Sequence, residues 1–566
     1  MKKMTNIREI TYYDVSPYAA GSANAGADKN KIQEFSELQK LFAENMIYRS
    51  IQTCEHNYTI LDGTHKELGI GRNENIAMWS RSQSQNTSRL LPESVTLEVS
   101  FGGLQSGPGI AFYFDTQNNV WCDMLRVKWY NNNALLSDGT FYPDSAVYSC
   151  HNKVELYNRV TIEFIRMNTP QRYLKIEAVL FGIVRVFGDG DLESLTLNEG
   201  FDPTGRTLYI NSANFTINTK DPVPYIFMRR QPLHIRYNGI YMGAYYIDKT
   251  KRYADRRYSV EAIDKTGVLD AAEGFMGGIY TNVTAESLIN QIAGGIFAVE
   301  IAQSLRNAGV SGWLPIMSRR EALAQVAVAI GAMITTARTN VIRVEPILIP
   351  EPGSIQHNHN INNIEKSRVY QSASVDFEFP CTGIELTEHN YVIGSAVKEL
   401  HKDIFTGERT VKFSEPASNL TIENGTIVSS GANHAVITGN GAACVLSGRP
   451  YIDSRSSVIV RNENIIEGTQ ERIEKIENCY LVSKDNSQTV AQRLYGYYLR
   501  QSVFDGDFLI DTNTGTGTDE NAEKIGDIVS VATIFDEGSH ISGQIEKLTL
   551  RLGSNNIKAR GVIRGE

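Results

Sequence analysis

The sequence predicts a mainly β protein with a few helices, a β-rich α+β fold, on three observations. Short segments in which apolar and polar residues alternate recur along most of the chain, as in "VTLEVSF" (95–101) and "KLTLRL" (547–552). Clusters rich in Gly, Asn and Asp separate these segments. Few segments place apolar residues at helical spacing. Strands with one apolar and one polar face predict antiparallel sheets that each cover a core on one side.

Composition and charge indicate a globular protein of several domains. The 566 residues correspond to roughly three to five domains. The net charge of −9 argues against a surface built to neutralise phosphates. No apolar run is long enough for a membrane helix, and the basic N-terminus lacks the apolar segment of a secretory signal. Sparse cysteines without a CxxC pair predict buried free thiols at Cys54, Cys122, Cys150, Cys381, Cys444 and Cys479.

The strand pattern is densest between about 46 and 190, where it predicts an antiparallel β-sandwich. "LRVKW" (125–129), "TIEF" (161–164) and "LKIEAVL" (174–180) alternate in the same way as 95–101. Each therefore predicts a strand with one face on a core. We expect the turns between the strands at "DTQNN", "YNNN" and "SDGT".

Three segments predict helices. "NVTAESLINQIAG" has apolar residues at helical spacing and ends at Gly294, and "SQTVAQRLYGYYLRQ" has a similar stripe. Between them, Ser318 and Glu321 form a capping box, and Gly331 supplies a left-handed stop. A hairpin is expected directly afterwards. Because this helix–hairpin unit carries no reactive side chains, its predicted role is packing.

The sequence contains no recognised catalytic or cofactor-binding motif. Phosphate-loop, GxSxG, HExxH and EF-hand patterns are missing from the sequence. "GLQSGPG" (103–109) leads into a strand, which predicts a β-turn and not a phosphate-binding helix start. His357 and His359 lack a third ligand at a supportive spacing, so a solvated loop is favoured over a metal site. We therefore predict no catalytic residues, no metal, no cofactor and no enzyme activity.

Carboxylates leave a hydrolytic function open. Glu98, Asp115, Asp123 and Glu163 lie in or near the sandwich strands. Two carboxylates at the correct separation can hydrolyse a glycosidic bond. Polar strand faces carry such residues routinely, and the sequence does not show which of them meet.

Aromatic residues leave glycan binding open as well, since aromatic rings on a sheet can stack on sugars. The sandwich segment contains Trp79, Trp121, Trp129 and Tyr130. Trp129 has the parity of the apolar positions in "LRVKW", which predicts a core position. Tyr130 has the opposite parity and is expected on the surface. Tyr130, together with Trp121, is therefore the candidate glycan contact.

The order of these parts resembles the baseplate-hub proteins at the tips of phage tails and related contractile particles, in particular versions with an inserted lectin-like β-sandwich. The sandwich resemblance lies in "GIAFYFD", "LRVKWYNNNALL", "FYPDSAVYSC" and "VTIEFIRMNTPQRYLKIEAVLFG". The hub resemblance lies in "EGFDPTGRTLYINSANFTI", "QPLHIRYNGIYMGAYYIDK", "YSVEAIDKTGVLDAAEGFMGGIYTNVTAESLI", "GWLPIMSRREALAQVAVAIGAMITTARTNVIRV" and "KIGDIVSVATIFDEGSHISGQIEKLTLRLGSNNIKARGVIRG".

The resemblance implies a division of the chain into consecutive parts. These are an N-terminal polar segment (1–45), a lectin-like β-sandwich (46–190), a hub β-barrel domain (191–285), an α/β hub domain (286–350), a further β-rich hub region (351–480) and a C-terminal β-domain (481–566).

The resemblance also implies a role and partners. A hub of this family is a structural, non-enzymatic homotrimer whose β-barrels form a ring that joins the tail tube to the spike and baseplate. Its expected partners are a tail tube or distal tail protein, a central spike or tip protein, other baseplate proteins and, through the sandwich, host cell-surface glycan. Its expected location is the virion tail baseplate or a phage-tail-like particle, assembled in the bacterial cytoplasm. The alternative is a carbohydrate-binding or polysaccharide-degrading protein.

Overall fold

Most of the chain is described by a computed structural model, which covers residues 7–42, 55, 77–116, 118–219, 229–272, 274–347, 355–359, 373–378, 381–462, 470–509, 524–532, 540–554 and 557–565. Strand residues far outnumber helical ones in these ranges, and antiparallel pairing dominates. The predicted β-rich α+β class is therefore confirmed. The chain divides into two compact units, a smaller one (10–187 with 221–233) and a larger one (1–9, 188–220 and 234–566).

The smaller unit is built around one antiparallel sheet. Its strands are β1 (Arg8–Val15), β2 (Ala23–Ala27), β3 (Met78–Gln83), β4 (Leu90–Phe114), β5 (Cys122–Asn131), β6 (Ala134–Phe141), β7 (Val147–Met167), β8 (Tyr173–Leu180) and β9 (Gly182–Phe187). Helix α1 (Pro17–Ser22) and a 3₁₀ turn (Leu38–Phe42) precede β3. The strand order of this sheet is β3-β8-β4-β7-β5-β6, with β2 paired to β4. Outside this sheet, β1 pairs antiparallel with β9.

The long strands β4 and β7 show why the sheet forms here. Residues 95–101 of β4 alternate between buried and exposed, as the sequence predicts. Their apolar face joins the apolar face of β5, so Trp129 is 1% exposed and lies in the core. The predicted core position of Trp129 is therefore confirmed. Burying one face of each strand fixes the register, because a shift by one residue would turn the apolar set toward solvent.

Two predicted turns are wrong. The glycine-rich segment 103–109 lies inside β4, where the register with β7 shifts several times, and 137–140 lies inside β6. Local turn chemistry is overridden here by the ladders on either side. Gly109 also passes very close to β7: a Cβ atom at this position would lie 2.0 Å from the Cys150 carbonyl oxygen. The glycine is needed for close approach, not for a turn.

The larger unit contains the remaining strands and helices. Its strands are β10 (Leu192–Gly200), β11 (Ser212–Asn218), β12 (Pro232–Tyr237), β13 (Ile240–Ala254), β14 (Arg257–Ile263), β15 (Gly278–Thr284), β16 (Val299–Ile301), β17 (Gly309–Leu314), β18 (Ala332–Thr335), β19 (Ile342–Pro346), β20 (His357–His359), β21 (Ser374–Phe377), β22 (Gly383–Glu388), β23 (Tyr391–Ile393), β24 (Lys398–Lys412), β25 (Ala417–Glu423), β26 (Gly425–Ser430), β27 (His434–Asp453), β28 (Ser456–Arg461), β29 (Ile473–Ile476), β30 (Ser502–Leu509), β31 (Ile528–Ala532), β32 (His540–Leu552) and β33 (Ile557–Gly565). Its helices are α2 (Lys265–Asp270), α3 (Ala285–Ala293), α4 (Gln303–Arg306), α5 (Arg319–Ile330) and α6 (Ser487–Tyr498).

The main sheet of the larger unit joins distant parts of the chain. Its order runs β21-β30-β33-β32-β10-β11-β14-β13-β12, with β31 paired to β32 and β20 to β31. The link is the antiparallel pair β10–β32, in which Thr196 lies opposite Arg551. The C-terminal strands therefore belong to the same sheet as the strands that follow residue 190.

The predicted helix–hairpin unit is confirmed. Ser318 and Glu321 cap each other's backbone N–H at the start of α5, and Gly331 ends the helix with φ 71°. Strands β18 and β19 then pair antiparallel. The apolar faces of α3 and α5 share one core with these strands. The helix packs, as the sequence predicts.

A separate sheet occupies the segment from β23 to β27, which we call the arm sheet (391–453). The long strand β27 pairs with β23, β24, β25 and β26. Its apolar residues form a small core of their own, which includes Phe405 and Leu446. Nearby in sequence, β22 pairs with β28 and β29 and packs against α6.

Two further expectations concern cysteines and membrane helices. The five cysteines in the described ranges are buried free thiols, as predicted, and Cys54 lies outside those ranges. No helix within the described ranges has the length and apolar character needed to cross a membrane.

We predict that Ser318→Ala weakens α5. The substitution removes the side-chain oxygen that accepts from the Glu321 backbone N–H, at 3.2 Å. Loss of such a cap costs about 1 kcal/mol. Hydrogen exchange of the peptide 319–330 should therefore be faster by roughly five-fold. Ser304→Ala, at an exposed position in α4, is the control. Unchanged exchange in Ser318→Ala would contradict the capping role.

Candidate functional site

The candidate site predicted from the sequence lies on the solvent side of the sheet in the smaller unit. Residues that lie directly opposite each other on antiparallel strands share a face. By this register the polar side chains of β6, β5, β7 and β4 form one surface, which we call the outer face. It consists of Asp138, Thr140, Arg126, Lys128, Tyr130, Arg159, Thr161, Glu163, Thr96, Glu98 and Ser100.

Tyr130 lies on this outer face, as its parity predicts, but part of its ring is covered. The Arg159 guanidinium carbon lies 4.3 Å from the centroid of the Tyr130 ring. Arg159 is held by Glu98, 3.3 Å away, and by the Asn132 carbonyl oxygen, 3.2 Å away. A cation over an aromatic face is attracted by the ring's quadrupole. Tyr130 is therefore an oriented, half-buried aromatic with at most one ring face left for a sugar.

Trp121, the second candidate, lies just before β5 and not within the outer face. Its indole N–H donates to the Pro143 carbonyl oxygen at 3.0 Å. Its backbone N–H donates to the Asn168 side chain at 3.1 Å, and its ring is partly buried against the core. The polar atom of Trp121 is thus already satisfied by the protein, so only its ring could contribute to ligand binding.

The structure brings two of the four candidate carboxylates together. Glu98 and Glu163 are diagonal neighbours on the outer face. Asp123 lies elsewhere and pairs with Arg166, at 2.6 Å, and with Arg89, at 3.1 Å. The fourth, Asp115, is buried. The four predicted residues therefore do not form one site.

Asp115 instead belongs to a buried ionic cluster. The Lys175 ammonium lies 3.1 Å from Asp115 and 2.7 Å from Glu55, and all three side chains are almost fully buried. Lys175 also lies 4.9 Å from the Trp79 ring centroid. Strand alternation in 174–180 predicts Lys175 on the polar face, but this strand is buried on both sides. Burying a charge is tolerated here because it is paired with carboxylates and hydrogen-bonded.

Glu177 lies beside this cluster and has an unusual pKa. Burial, with a smaller contribution from the charge of Asp115, raises the pKa of Glu177 to about 7. The backbone N–H and the hydroxyl of Thr116 donate to its carboxylate at 3.2 Å and 3.0 Å, which opposes the rise. Glu177 therefore titrates near neutral pH. A raised pKa alone does not assign a catalytic role, since structural clusters also perturb pKa values.

The histidine pair lies in the larger unit. His357 and His359 are in β20, which pairs with β31, so the expected loop is wrong for these residues. Throughout the described ranges, no group of three His, Cys, Asp or Glu side chains is arranged to hold a metal ion.

The sequence does not predict the residues that contact Tyr130 and Asp115. Arg159 and Tyr130 are 29 positions apart, and only the β5–β7 register brings them together. Lys175 and Asp115 meet through the folding of distant segments. No local sequence pattern predicts either contact, whereas the alternation of β5 does predict that Tyr130 faces outward.

Comparison with known proteins gives structural similarities only. No protein-family model and no curated protein matches the sequence. Among solved structures, the chain is similar to a 43 kDa tail protein of prophage MuSo2 from Shewanella oneidensis, with 9% identity and a TM-score of 0.41, over 67% of this chain and 94% of the other. It is also similar to a tail protein of Neisseria meningitidis MC58, with 10% identity and a TM-score of 0.42, over 68% and 94%.

A third similar structure comes from E. coli. It is a component of the type VI secretion system described as similar to the T4 bacteriophage tail proteins gp27 and gp5, with 10% identity and a TM-score of 0.32, over 66% of this chain and 74% of the other. By their names, two of these proteins are tail proteins and one is a component of the type VI secretion system. With TM-scores under 0.5, the similarities assign no function to this chain.

We predict that Glu177→Gln changes how stability depends on pH. The folded state holds the Glu177 proton up to about pH 7, whereas the unfolded chain releases it near the ordinary value of 4.5. The wild-type free energy of unfolding should therefore fall as pH rises from 4.5 to 7, and a neutral Gln removes this fall. Compared with the difference at pH 4, the free energy of unfolding of the variant at pH 8 should be higher than that of wild type by about 1–2 kcal/mol.

Chemical denaturation at several pH values measures this difference. At pH 4 the carboxyl group is mostly neutral in both states, so the difference found there is the reference value. A difference between variant and wild type that stays constant from pH 4 to pH 8 would contradict the raised pKa.

Proposed function

We propose that the chain is a structural baseplate-hub protein at the tip of a phage tail or phage-tail-like particle. Three copies form a ring that joins the tail tube to the spike and baseplate. Its partners are a tail tube or distal tail protein, a central spike or tip protein and other baseplate proteins. The protein is non-enzymatic, assembles in the bacterial cytoplasm and ends up in the virion tail baseplate. The proposal starts from the sequence resemblance to this family.

The observation that carries the proposal is a set of exposed apolar side chains on the arm sheet. Val392 and Ile452 are cross-strand partners on β23 and β27, and they are 51% and 59% exposed. On the β24–β27 ladder, Ile404 is 68% exposed. Paired apolar side chains that remain in water are typical of surfaces that are buried in an assembly. An interface between subunits or tail proteins would cover them.

A strand at the end of the main sheet supports assembly as well. In the strand order of the described residues, β21 is terminal, and its Phe377 is 79% exposed. A terminal strand offers unpaired backbone groups that another chain can use. Closure of several subunits into a ring buries such features in heterologous contacts.

We predict that the purified chain forms a trimer of about 189 kDa, three times the subunit mass of 63.0 kDa. Light scattering coupled to size exclusion measures this mass. Val392→Glu places a charge in the proposed interface and should raise the trimer dissociation constant by about a hundred-fold or more. Val186→Glu, at a 54% exposed position on β9, is the matched control.

A trimer that Val392→Glu leaves intact would contradict the role of the arm sheet in trimer contact. A chain that stays monomeric at all concentrations, alone and with tail-tube protein, would contradict the hub proposal.

A second candidate function is carbohydrate binding by the smaller unit, with polysaccharide degradation as its enzymatic form. The observation that favours it is the oriented Tyr130 ring among the hydrogen-bonding side chains of the outer face. Sugar-binding surfaces combine an aromatic ring with polar groups in this way. A hub with this surface would contact host cell-surface glycan.

We predict that Tyr130→Ala weakens glycan binding by about three- to ten-fold, because a ring contact is lost. A glycan array probed with the intact protein measures it. Lys128→Ala, on the same face and strand, controls for loss of a neighbouring polar group. An array profile that Tyr130→Ala leaves unchanged would return Tyr130 to the ordinary surface. Turnover in a screen of cell-wall and capsular polysaccharides would contradict a purely structural hub.

A further inference from the structure

A ligand-sized cavity lies in the larger unit, at one end of the arm sheet. It is a cleft of about 400 Å³ lined by three aromatic residues, Trp313 of β17, Tyr391 of β23 and Tyr451 of β27. Its volume is in the range of small-molecule sites. The Tyr391 ring is held by two neighbouring rings. The His389 ring is parallel to it, with centroids 6.0 Å apart, and the Trp313 ring meets it edge to face at 5.9 Å.

Two polar atoms of the residues that line this cleft are buried without a hydrogen-bond partner. One is the indole N–H donor of Trp313, and the other is the Oδ1 acceptor of Asp453. The second oxygen of Asp453 is engaged, because His389 Nδ1 lies at 2.9 Å and Arg455 Nε at 2.7 Å. Buried polar groups in folded proteins are almost always satisfied, so two orphans in one cleft require an explanation. The indole of Trp121, by contrast, has its partner within the protein.

The charges around the cleft are already paired. Asp453 is neutralised by Arg455, and Lys398 lies 3.8 Å from Glu415. An anion would find no uncompensated cation among these lining residues, and a cation would find no uncompensated carboxylate. The hydrogen bonds that remain to be made are therefore one to an acceptor for the Trp313 N–H and one from a donor to the Asp453 oxygen, next to apolar ring surface. A hydroxyl group can act as either.

We propose that this cleft binds a neutral sugar residue of a glycan. One hydroxyl accepts from the Trp313 indole N–H, and another donates to Asp453 Oδ1. The C–H face of the pyranose ring packs against the aromatic side chains. Both atoms are buried in the free protein, so small side-chain rotations of Trp313 and Asp453 accompany binding, and each atom is then satisfied by a group of the ligand. This site is independent of the outer face and does not require the hub assembly.

Saturation-transfer NMR on the full-length protein tests the proposal with D-glucose, D-galactose and N-acetyl-D-glucosamine. Cyclohexanol, a ring with a single hydroxyl, and choline, a cation, are the comparison probes. We expect signal for at least one of the three sugars and weaker signal for both comparison probes. Trp313→Phe keeps an aromatic ring and removes the N–H, so the dissociation constant should rise by about three- to ten-fold. Asp453→Asn should weaken binding in the same direction.

Trp121→Phe is the matched control, because it makes the same substitution at an indole that the protein already satisfies. Under the proposal, sugar binding survives Trp121→Phe and Tyr130→Ala. Binding that is lost in these two variants but kept in Trp313→Phe would assign the sugar to the smaller unit and overturn the proposal. It would also be overturned by equal binding of cyclohexanol or choline, or by absence of sugar signal at 20 mM, about the weakest affinity worth assigning to a built site. Thermal melting confirms that each variant is folded.

Discussion

A fully buried carboxylate, Asp264, joins three elements of the larger unit at one point. It caps α2 by accepting from the Gly267 backbone N–H at 3.0 Å, and it accepts from the Asn211 N–H at 3.1 Å and the Thr336 hydroxyl at 2.6 Å. The start of β11, the helix after β14 and the turn after β18 therefore meet on one side chain. Burial raises the pKa of Asp264, and its donors oppose the rise. Each Asp264 oxygen accepts two hydrogen bonds, so removing a donor would leave a buried carboxylate less fully satisfied, and this cost favours a fixed geometry of the three elements.

A second buried contact ties the same turn to the main sheet. Arg338 follows β18, and its guanidinium lies against both oxygens of Glu199 on β10, at 3.2 Å and 3.3 Å. Strand β10 also pairs with β32. The Arg338–Glu199 contact therefore links the C-terminal strands to the helix–hairpin unit through β10.

The two candidate ligand surfaces differ in how completely the protein satisfies its own polar groups. On the outer face, Arg159 is held by Glu98, by a backbone carbonyl and by the Tyr130 ring, so a sugar there must compete with existing contacts. In the cleft, Trp313 and Asp453 each keep a buried atom without a partner. A ligand that reached these two atoms would gain hydrogen bonds without breaking any. Unsatisfied groups favour binding more than occupied ones do.

The sequence by itself determined the β-rich class, the strands at 95–101 and 547–552, the capped helix that begins after Ser318, and the inward and outward parity of Trp129 and Tyr130. These features depend on periodicity and on caps within a few residues, which are local properties of the chain. Only the tertiary structure decided that 103–109 continues a strand, that Lys175 is buried among carboxylates, and that Trp313 and Asp453 share a cleft. Each of these outcomes depends on strand register and on contacts between residues far apart in the chain, and no local pattern encodes them.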